Sequence, residues 1–468
     1  MDNCECCNAA SEHVVTHSKK LDKKILNKEI LAIAWPSIIE LILVTVCQMA
    51  DMIMVGRLGA YAIAAVGITN QPRFLMLSAF IALNVGTTAL VARLKGEGKQ
   101  EEANKVLYQS MILTIFLSIA ISILGIIFAH DMVILMGGEE DVAKVGGSYF
   151  KIIMSGFIFT CIPLCITAAL RGAGNTKASM YLNVIANVVN IIFNYLLIYG
   201  KLGFPRLEVD GAAIATVIGY IVSFVISLYI LFRRRQYLYL PPIKSMARYF
   251  EPDFKAIKRI IRIGLPSAGE QMALRLGLLI YTRIVAGLGT VAFATHQIGL
   301  NILSLSFMNG QAFGIAATTL IGQSLGEKDI EKAKAYADQT RHMGAVVAFF
   351  IAGIFFFLGK QLVWLFNPDP DIMKAGSTVL KIVAIIQPSQ ASFQILAGGL
   401  RGAGDTKWPA LSILVGVLII RPILAFILVN WANWGLIGAW IALAADQFIR
   451  SVLIYIRFRS GRWTRIKV

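Results

Sequence analysis

Four polar side chains within long apolar segments have the chemistry of a small-cation site. Asp51 lies near one end of its segment, and Asn190 and Asn194 lie near the corresponding end of another. The two asparagines are four residues apart, so they share one face of a helix. Thr216 lies at a similar depth in the next segment. A carboxylate with amide and hydroxyl oxygens suits Na⁺, or a protonated Asp51; the alternative is a network that only holds helices together.

Two further carboxylates occupy equivalent places in the two halves of the chain. Glu40 and Glu270 each lie four residues after a proline, Pro36 and Pro266. Either carboxylate could attract a cationic substrate or gate the inner face of the protein. The alternative is helix packing against an arginine, which for Glu270 includes Arg275. Each proline removes a backbone hydrogen bond, so both are candidate hinges.

The other polar residues within the apolar segments give weaker predictions. Gln387, Gln390 and Gln394 follow one another along a single segment and are candidates to face a central cavity, together with Arg73. These side chains are costly to place in a membrane, which makes them candidates for function.

A carboxylate and an arginine near the C-terminus are spaced for a direct ion pair. Asp446 and Arg450 are four residues apart on one predicted helix, so they are expected to satisfy each other. Arg421 is expected to join them. This group is therefore interpreted as structural.

Long apolar segments must position all of these residues. The chain is 57% hydrophobic and only 15% charged, far less charged than a soluble protein. Runs of about 20 apolar residues are long enough to cross a bilayer as helices. We predict an all-α integral membrane protein with twelve transmembrane helices. The predicted spans are 30–56, 62–92, 106–129, 146–170, 178–199, 210–232, 258–287, 292–323, 342–366, 375–400, 408–430 and 435–457.

The chain also repeats itself at a fixed offset. Leu-Arg-Gly-Ala-Gly-Asn-Thr-Lys at 170–177 returns as Leu-Arg-Gly-Ala-Gly-Asp-Thr-Lys at 400–407. Six spans per half is an even number, so the repeats are expected to be parallel six-helix lobes around a central cavity. The predicted division is a cytoplasmic tail at 1–27, an N-lobe at 28–232, a cytoplasmic linker at 233–257, a C-lobe at 258–458 and a cytoplasmic tail at 459–468.

The net charge of +17 is distributed unevenly. Most Lys and Arg residues fall in the tails, the linker and the turns on one side of the predicted spans, including both Gly-rich turns. Because positively charged loops stay in the cytoplasm, we expect a plasma-membrane protein with both termini on the cytoplasmic side. The basic residues are expected to contact anionic lipid and not nucleic acid. A monomer suffices for a protein with two lobes.

The sequence contains no motif of an enzyme or of a bound metal. Metal-ligand signatures such as His-Glu-x-x-His and nucleophile motifs are absent, so we expect no catalytic residues, no metal and no cofactor. Cys4, Cys6 and Cys7 lie close to His13 and His17 in the N-terminal tail. These side chains could bind a metal, but reduced thiols in a cytoplasmic tail are the favoured interpretation.

Several of these motifs together resemble the multidrug and toxic compound extrusion (MATE) family. They are Asp-Met-Ile-Met-Val-Gly-Arg-Leu-Gly at 51–59, the twin Gly-rich turns, Gly-Leu-Pro at 264–266 and Gly-Ala-Ala-Ile-Ala-Thr at 211–216. The resemblance covers about residues 28–458. It implies an antiporter that exports organic cations or amphipathic drugs in exchange for inward Na⁺ or H⁺. By similarity, Asp51 is the cation-coupling acid of the first helix.

The chain also differs from the family pattern. Asn190 matches the first residue of a fifth-helix Asn-x-x-x-Asp pattern, but Asn194 replaces its Asp, and no acidic residue lies in the tenth helix. The resemblance therefore implies that coupling rests on the N-lobe. A lipid-linked oligosaccharide or polysaccharide flippase of the same superfamily is the alternative. It would need a cationic cavity, for which Arg73, Arg275 and Arg283 are the candidates.

Overall fold

The computed structural model describes residues 22–233, 236–240 and 251–466, and this part of the chain is helical. We number the membrane-crossing elements as spans 1 to 12. Spans 1 to 6 are Lys23–Gly56, Ala60–Gly96, Gln100–Ile127, the pair Glu140–Ser155 and Phe157–Gly172, Thr176–Tyr199, and Glu208–Phe232. Spans 7 to 12 are Phe254–Ala286, Thr290–Gly326, Ile330–Phe357, Pro370–Gly402, Lys407–Trp431 and Gly435–Arg459. Short helices at Ala129–Leu135 and Gly359–Trp364 follow spans 3 and 9, and Arg462–Arg465 form a 3-10 turn.

The predicted twelve-helix layout is confirmed. In the described part of the chain, ten helices are long and apolar enough to cross a membrane, and the two bent helices of span 4 make an eleventh. Span 7 is the twelfth. It has 33 residues, but charged side chains such as Lys258, Arg262 and Glu270 lower its hydropathy.

Spans 1 and 7 begin earlier than the apolar pattern indicates. Span 1 starts at Lys23, inside the segment assigned to the N-terminal tail, and span 7 starts at Phe254, inside the segment assigned to the linker. Each has an aspartate cap: Asp22 accepts from the Lys24 amide at 2.9 Å, and Asp253 accepts from the Lys255 amide at 2.9 Å. The hydrogen bond from Lys105 and those from backbone amides hold the pKa of Asp253 below its ordinary value.

Two predicted spans have different boundaries in the structure. Span 4, predicted to be continuous over 146–170, breaks at Gly156 with a bend of 51°. A Cβ atom on Gly156 would lie 2.6 Å from Val217 Cγ1, so the glycine permits close packing at the bend. Span 9, predicted at 342–366, runs over Ile330–Phe357. Its first turns are polar and project beyond the apolar stretch, which is why hydropathy placed it too late.

The two lobes exchange their first helices at one end of the molecule. Leu26, Ile30 and Ile33 of span 1 pack in a core formed mainly by spans 8, 9 and 10. Ile260 and Ile263 of span 7 pack in a core formed mainly by spans 2, 3 and 4. We call this end the basic end, because it contains Lys95, Arg171, Lys328 and Arg401. The residues Cys4, Cys6, Cys7, His13 and His17, which we assigned to a tail, lie outside the described residues.

The lobes meet backbone to backbone at the basic end. We call the contact between Gly96 of span 2 and Gly326 of span 8 the glycine seam. A Cβ on Gly326 would lie 2.8 Å from Gly96 Cα, and a Cβ on Gly96 would overlap the Gln323 backbone. Thr319 also donates to the Arg171 carbonyl at 2.8 Å, and Gln323 donates to the Gly172 carbonyl at 3.0 Å. The structure is therefore closed at this end.

Candidate functional site

The four residues predicted to form a cation site meet inside the N-lobe. Asn194 Nδ2 donates to Asp51 Oδ1 at 2.6 Å and lies 3.3 Å from Asn190 Oδ1. Asn190 Nδ2 lies 3.3 Å from Thr216 Oγ1. The two asparagines are buried, and Asp51 is half-buried. Spans 1, 5 and 6 thus bring one carboxylate, two amides and one hydroxyl together, as their depths along the sequence predicted. We call these four residues the Asp51 cluster.

The Asp51 cluster has spare capacity to bind a cation. The Oδ1 atom of Asn194 is buried, and none of the described residues forms a hydrogen bond with it. Rotating the Asn190 amide lets its Nδ2 donate to Asp51 at 3.0 Å and its Oδ1 accept from the Thr216 amide at 3.2 Å. An amide oxygen beside a carboxylate is a fitting ligand for Na⁺, and the same carboxylate can take a proton.

Tight helix packing places the Asp51 cluster. A Cβ on Gly219 of span 6 would lie 3.1 Å from Asn190 Cβ and 3.0 Å from the Ala186 carbonyl, so spans 5 and 6 approach closely there. Tyr199 donates to the Met54 carbonyl at 3.0 Å and fixes the end of span 5 that is far from the basic end against span 1. These contacts keep the four polar groups at one depth.

Arg73 was predicted to face a substrate cavity, and that role stays a prediction. Arg73 lies inside the N-lobe, where its guanidinium donates to the Tyr220 hydroxyl of span 6. Its positive charge acts on Asp51. The sequence did not predict Tyr220 as the partner of Arg73. The two residues are 147 positions apart, and Tyr220 has the character of an ordinary aromatic residue of an apolar span.

A cavity of about 460 Å³ lies between the two lobes. Both lobes supply its wall, with Leu41, Asn84 and Thr88 from the N-lobe and Phe307, Gln311 and Gln394 from the C-lobe. Pockets of this size, mostly apolar with a few polar groups, are typical of small-molecule sites. This is the central cavity that the two-lobe repeat predicted.

Two of the three span-10 glutamines do not line this cavity. Gln387 is buried and accepts a hydrogen bond from Ser306, and Gln390 is 3% exposed, so both pack inside the C-lobe. Gln394 does line the cavity, and it lies one turn closer to the basic end. Of these three glutamines, Gln394 is the one that reaches the cavity described here, and a role of Gln387 and Gln390 at the substrate stays a prediction.

The twin Gly-rich turns supply the partners of the two repeat-equivalent glutamates. Arg171 bonds Glu40 at 2.5 Å, and Arg401 bonds Glu270 at 2.5 Å. The expected partner Arg275 is not the one used; its guanidinium lies 4.7 Å from the centre of the Phe74 ring. Within each pair, the glutamate and its arginine are 131 residues apart in the sequence. Helical spacing could therefore not predict either pairing.

The glutamates differ in their relation to the cavity. Glu270 and both turn arginines line it, whereas Glu40 does not. Glu40 instead accepts hydrogen bonds from Asn183 at 2.5 Å and Ser179 at 3.2 Å as well as from Arg171. Both glutamates were predicted to attract a cationic substrate or to gate the inner face of the protein. Glu270 lies in the wall of this cavity and Glu40 does not, and both roles stay predictions.

Span 5 carried a signal that sequence analysis missed. Asn183, Asn187, Asn190 and Asn194 recur at helical spacing and form one polar stripe. The stripe reaches from Glu40 near the basic end to Asp51 near the opposite end. Reading all four asparagines together would have identified the partner of Glu40.

The predicted ion pair of span 12 is confirmed, with Arg421 as its third member. Asp446 is fully buried and accepts from Arg421 at 2.5 Å and from Arg450 at 2.9 Å. Gly416 leaves the space for this carboxylate, since a Cβ there would overlap Asp446. Arg421 stands between two π-helical stretches of span 11, Leu414–Ile420 and Ile427–Trp431. Such stretches inside helices are rare and often occur at functional sites.

The candidate hinges lie within continuous helices. Span 1 runs unbroken through Pro36, and span 7 runs unbroken through Pro266. Each proline removes one helical hydrogen bond, so local bending there costs less than elsewhere in the helix. The hinge role of both residues stays a prediction.

The helices, the buried clusters and the shared cavity define a class: a multi-pass membrane protein with two similar lobes. The sequence profile of the MatE family matches the chain twice, over residues 36–196 and 266–427. The matches begin 230 residues apart, which is the offset of the internal repeat.

Individual proteins agree with this match. The chain is 30% identical over 440 residues to the probable multidrug resistance protein NorM of Thermotoga maritima, covering 94% of each chain. It is 29% identical over 435 residues to the uncharacterized transporter YisQ of Bacillus subtilis, covering 93% of this chain and 94% of that one. A crystal structure of MATE in complex with MaD3S has the same fold, with a TM-score of 0.87 and 22% identity over 94% of this chain and 97% of that one.

The chain belongs to the multidrug and toxic compound extrusion (MATE) family. It is accordingly a multi-pass membrane transporter and not an enzyme. The family resemblance carried by the sequence motifs is confirmed.

Proposed function

We propose that this protein is a secondary active antiporter that exports organic cations or amphipathic drugs in exchange for inward Na⁺ or H⁺. Its relatives include a probable multidrug resistance protein, which supports a drug as the exported molecule. The protein works as a monomer in the plasma membrane, with both termini in the cytoplasm. A monomer is sufficient because one chain builds both walls of the cavity.

The Asp51 cluster is the observation that carries this proposal. A carboxylate within a membrane span is costly, so one without an ion pair is a candidate to bind an ion or a proton. Asp51 accepts a hydrogen bond from the neutral amide of Asn194, and Arg73 acts on it electrostatically without an ion pair in the described residues, so the carboxylate stays available. The unpartnered oxygen of Asn194 adds a ligand for a cation.

Alternating access follows from the two-lobe plan. The glycine seam closes the basic end, so the cavity opens toward the other side in this state. A cation that binds at Asp51 removes the negative charge from span 1 and shifts the hydrogen bonds to span 5. The ion drives the cycle only because it binds one state more tightly than the other. The drug leaves the cavity as span 1 moves, and the lobes then rock about Pro36 and Pro266.

The flippase alternative is less well supported by this cavity. A pyrophosphate group needs free positive charge, yet the three arginines in the wall are already engaged. Arg171 binds Glu40, Arg401 binds Glu270 and Arg450 binds Asp446. Arg73, Arg275 and Arg283, which kept this alternative open, are not among the residues of the described cavity wall.

Efflux from proteoliposomes tests the proposal. A fluorescent cationic dye is loaded, and a Na⁺ gradient or a pH gradient is imposed on wild type, Asp51→Asn and Tyr281→Phe. Tyr281 stands 230 residues after Asp51 and serves as the matched C-lobe control. We expect one gradient to drive efflux, Asp51→Asn to abolish it and Tyr281→Phe to retain it.

The other outcomes are informative. Full gradient-driven efflux by Asp51→Asn would remove Asp51 from the coupling mechanism. Absence of gradient-driven efflux for several dyes with wild type would overturn the antiport proposal and favour the flippase. The gradient that works identifies the coupling ion.

A further inference from the structure

The two turn-bound glutamates are equivalent in the repeat but differ in how far they are satisfied. Both oxygens of Glu40 are occupied: Oε1 accepts from Arg171 at 2.5 Å and from Asn183 at 2.5 Å, and Oε2 accepts from Ser179 at 3.2 Å. Each oxygen of Glu40 therefore has a hydrogen-bond donor from the protein itself.

Glu270 is only half satisfied. Its Oε1 accepts from Arg401 at 2.5 Å, but its Oε2 is buried and has no hydrogen-bond partner within the described part of the chain. The cause lies in the sequence of span 11. Pro409 and Ile413 stand 230 residues after Ser179 and Asn183, and neither side chain can donate a hydrogen bond.

The unsatisfied oxygen belongs to a residue of the cavity wall. Glu270 is the acidic residue among those that line the described cavity. Ser267, one turn earlier on the same helix, also lines the cavity, and its buried hydroxyl has no hydrogen-bond partner among residues 22–233, 236–240 and 251–466. Two unpartnered polar groups therefore lie side by side in the wall.

The arginines of the wall do not fill this gap. Arg401 already bonds the other oxygen of Glu270. Arg450 is bound to Asp446, and its guanidinium lies 4.8 Å from the centre of the Phe393 ring. A buried carboxylate oxygen without a donor is costly, so a ligand that donates to it gains affinity.

We propose that Glu270, with Ser267, is the specificity-determining site that receives an N–H-bearing ammonium group of the transported molecule. The preferred substrates are then protonated primary, secondary or tertiary amines. A quaternary ammonium has the same charge but no N–H, so it leaves the second oxygen of Glu270 unsatisfied. This inference rests on the proposed transport function and names the substrate class.

A matched pair of probes tests the inference by binding alone. A naphthylmethylamine, protonated at neutral pH, and its N,N,N-trimethyl analogue are titrated against purified protein in nanodiscs without any ion gradient. We expect wild type to bind the amine about tenfold more tightly, which corresponds to one hydrogen bond to a charged group.

Two variants remove the free carboxylate oxygen in different ways. Glu270→Gln replaces one of the two oxygens by an amide nitrogen and removes the negative charge. Ile413→Asn keeps Glu270 and its pairing with Arg401 but supplies the donor that Asn183 gives to Glu40. Both are expected to lose the preference for the amine. Ile413→Leu, which adds no donor, is the matched control and keeps the preference, as does Glu40→Gln in the other lobe.

Each result decides the inference. Equal binding of the two probes by wild type, or a preference that survives in Ile413→Asn, overturns it. If Glu270→Gln fails to fold, Ile413→Asn still gives the answer. A preserved preference together with failed gradient-driven efflux would overturn antiport and leave this site standing, because the binding assay uses no gradient.

Discussion

The N-lobe and the C-lobe share one helical plan but treat their buried carboxylates differently. In the N-lobe, Asp51 is held by the neutral side chain of Asn194. In the C-lobe, Asp446 lies between the guanidinium groups of Arg421 and Arg450. Tyr281 stands at the position equivalent to Asp51, and Arg421 lies 5.6 Å from the centre of its ring. The C-lobe thus contains a tethered cation near the position equivalent to the one where we propose that the N-lobe binds a mobile cation.

This difference separates two tasks. A carboxylate bound to two arginines has no charge left for an exchangeable ion, so it can only hold helices together. A carboxylate bound by amides can exchange a cation during every cycle. We therefore expect stability to depend on the C-lobe cluster and coupling to depend on the N-lobe cluster.

The largest expected effect is on stability. Asp446→Asn leaves two buried arginines without their counter-charge, and breaking a buried ion pair costs about 3–5 kcal/mol. The measurement is loss of folded protein on heating in detergent, followed by size-exclusion chromatography. Asp51→Asn is the control and should retain near wild-type stability. Equal thermal stability of the two variants would break the comparison between the lobes.

The glutamates of the two turns should differ by a smaller amount. Glu40→Gln disturbs three donors, whereas Glu270→Gln disturbs one. Because hydrogen bonds to charged groups are worth about 1.5–3 kcal/mol each, we expect Glu40→Gln to be the more destabilising by about 1–2 kcal/mol. Thermal unfolding of the two variants side by side checks this. The reverse order would mean that the free oxygen of Glu270 has a partner that the structure does not show.

Coupling should weaken in one lobe only. Asn194→Ala removes one hydrogen bond to Asp51, which we expect to lower the affinity for the coupling ion about tenfold. Leu424→Ala, at the equivalent C-lobe position, should leave that affinity unchanged. The check is the ion concentration that gives half-maximal efflux. An equal shift for both variants would argue against an N-lobe site.

The smallest effect concerns the contact between the lobes. Thr319 donates to the Arg171 carbonyl, but its N-lobe equivalent is Ala89, which has no donor. We expect Thr319→Val to destabilise the closed state of the basic end by about 1 kcal/mol. This shifts the ratio of closed to open protein about fivefold. Spin-label distances across the basic end measure it. Ser324→Ala is the control, because the Ser324 hydroxyl donates to the Leu320 carbonyl of its own helix. This variant should give wild-type distances.

The sequence was sufficient for the twelve helices and for the Asp51 cluster. Apolar runs of membrane length are a strong signal, and counting residues along each span gave the common depth of Asp51, Asn190 and Thr216. Depth is a property of one helix and needs no tertiary information. The irregular elements, such as the bend at Gly156 and the π-helical stretches of span 11, gave no comparable signal.

The facing direction of each residue could not be derived in the same way. Gln387 and Gln394 share a helix face, yet only Gln394 reaches the cavity, because the shape of the wall depends on the neighbouring lobe. The partner of Glu270 lies on a distant turn, so helical spacing offered Arg275 instead of Arg401. These features depend on how the two lobes dock and not on any single span.

The glycine seam has a consequence for the origin of the protein. Gly96 and Gly326 are the same position in the two repeats, and they contact each other. In a symmetric assembly, a residue meets its own counterpart only at the two-fold axis. The seam therefore marks the pseudo-two-fold axis itself. A six-helix ancestor that dimerised through this glycine would have formed the same contact, and duplication with fusion would then carry that subunit interface into a single chain. Substitution of either glycine by a larger residue is then limited by the other lobe, because an added Cβ would overlap the backbone at this shared contact.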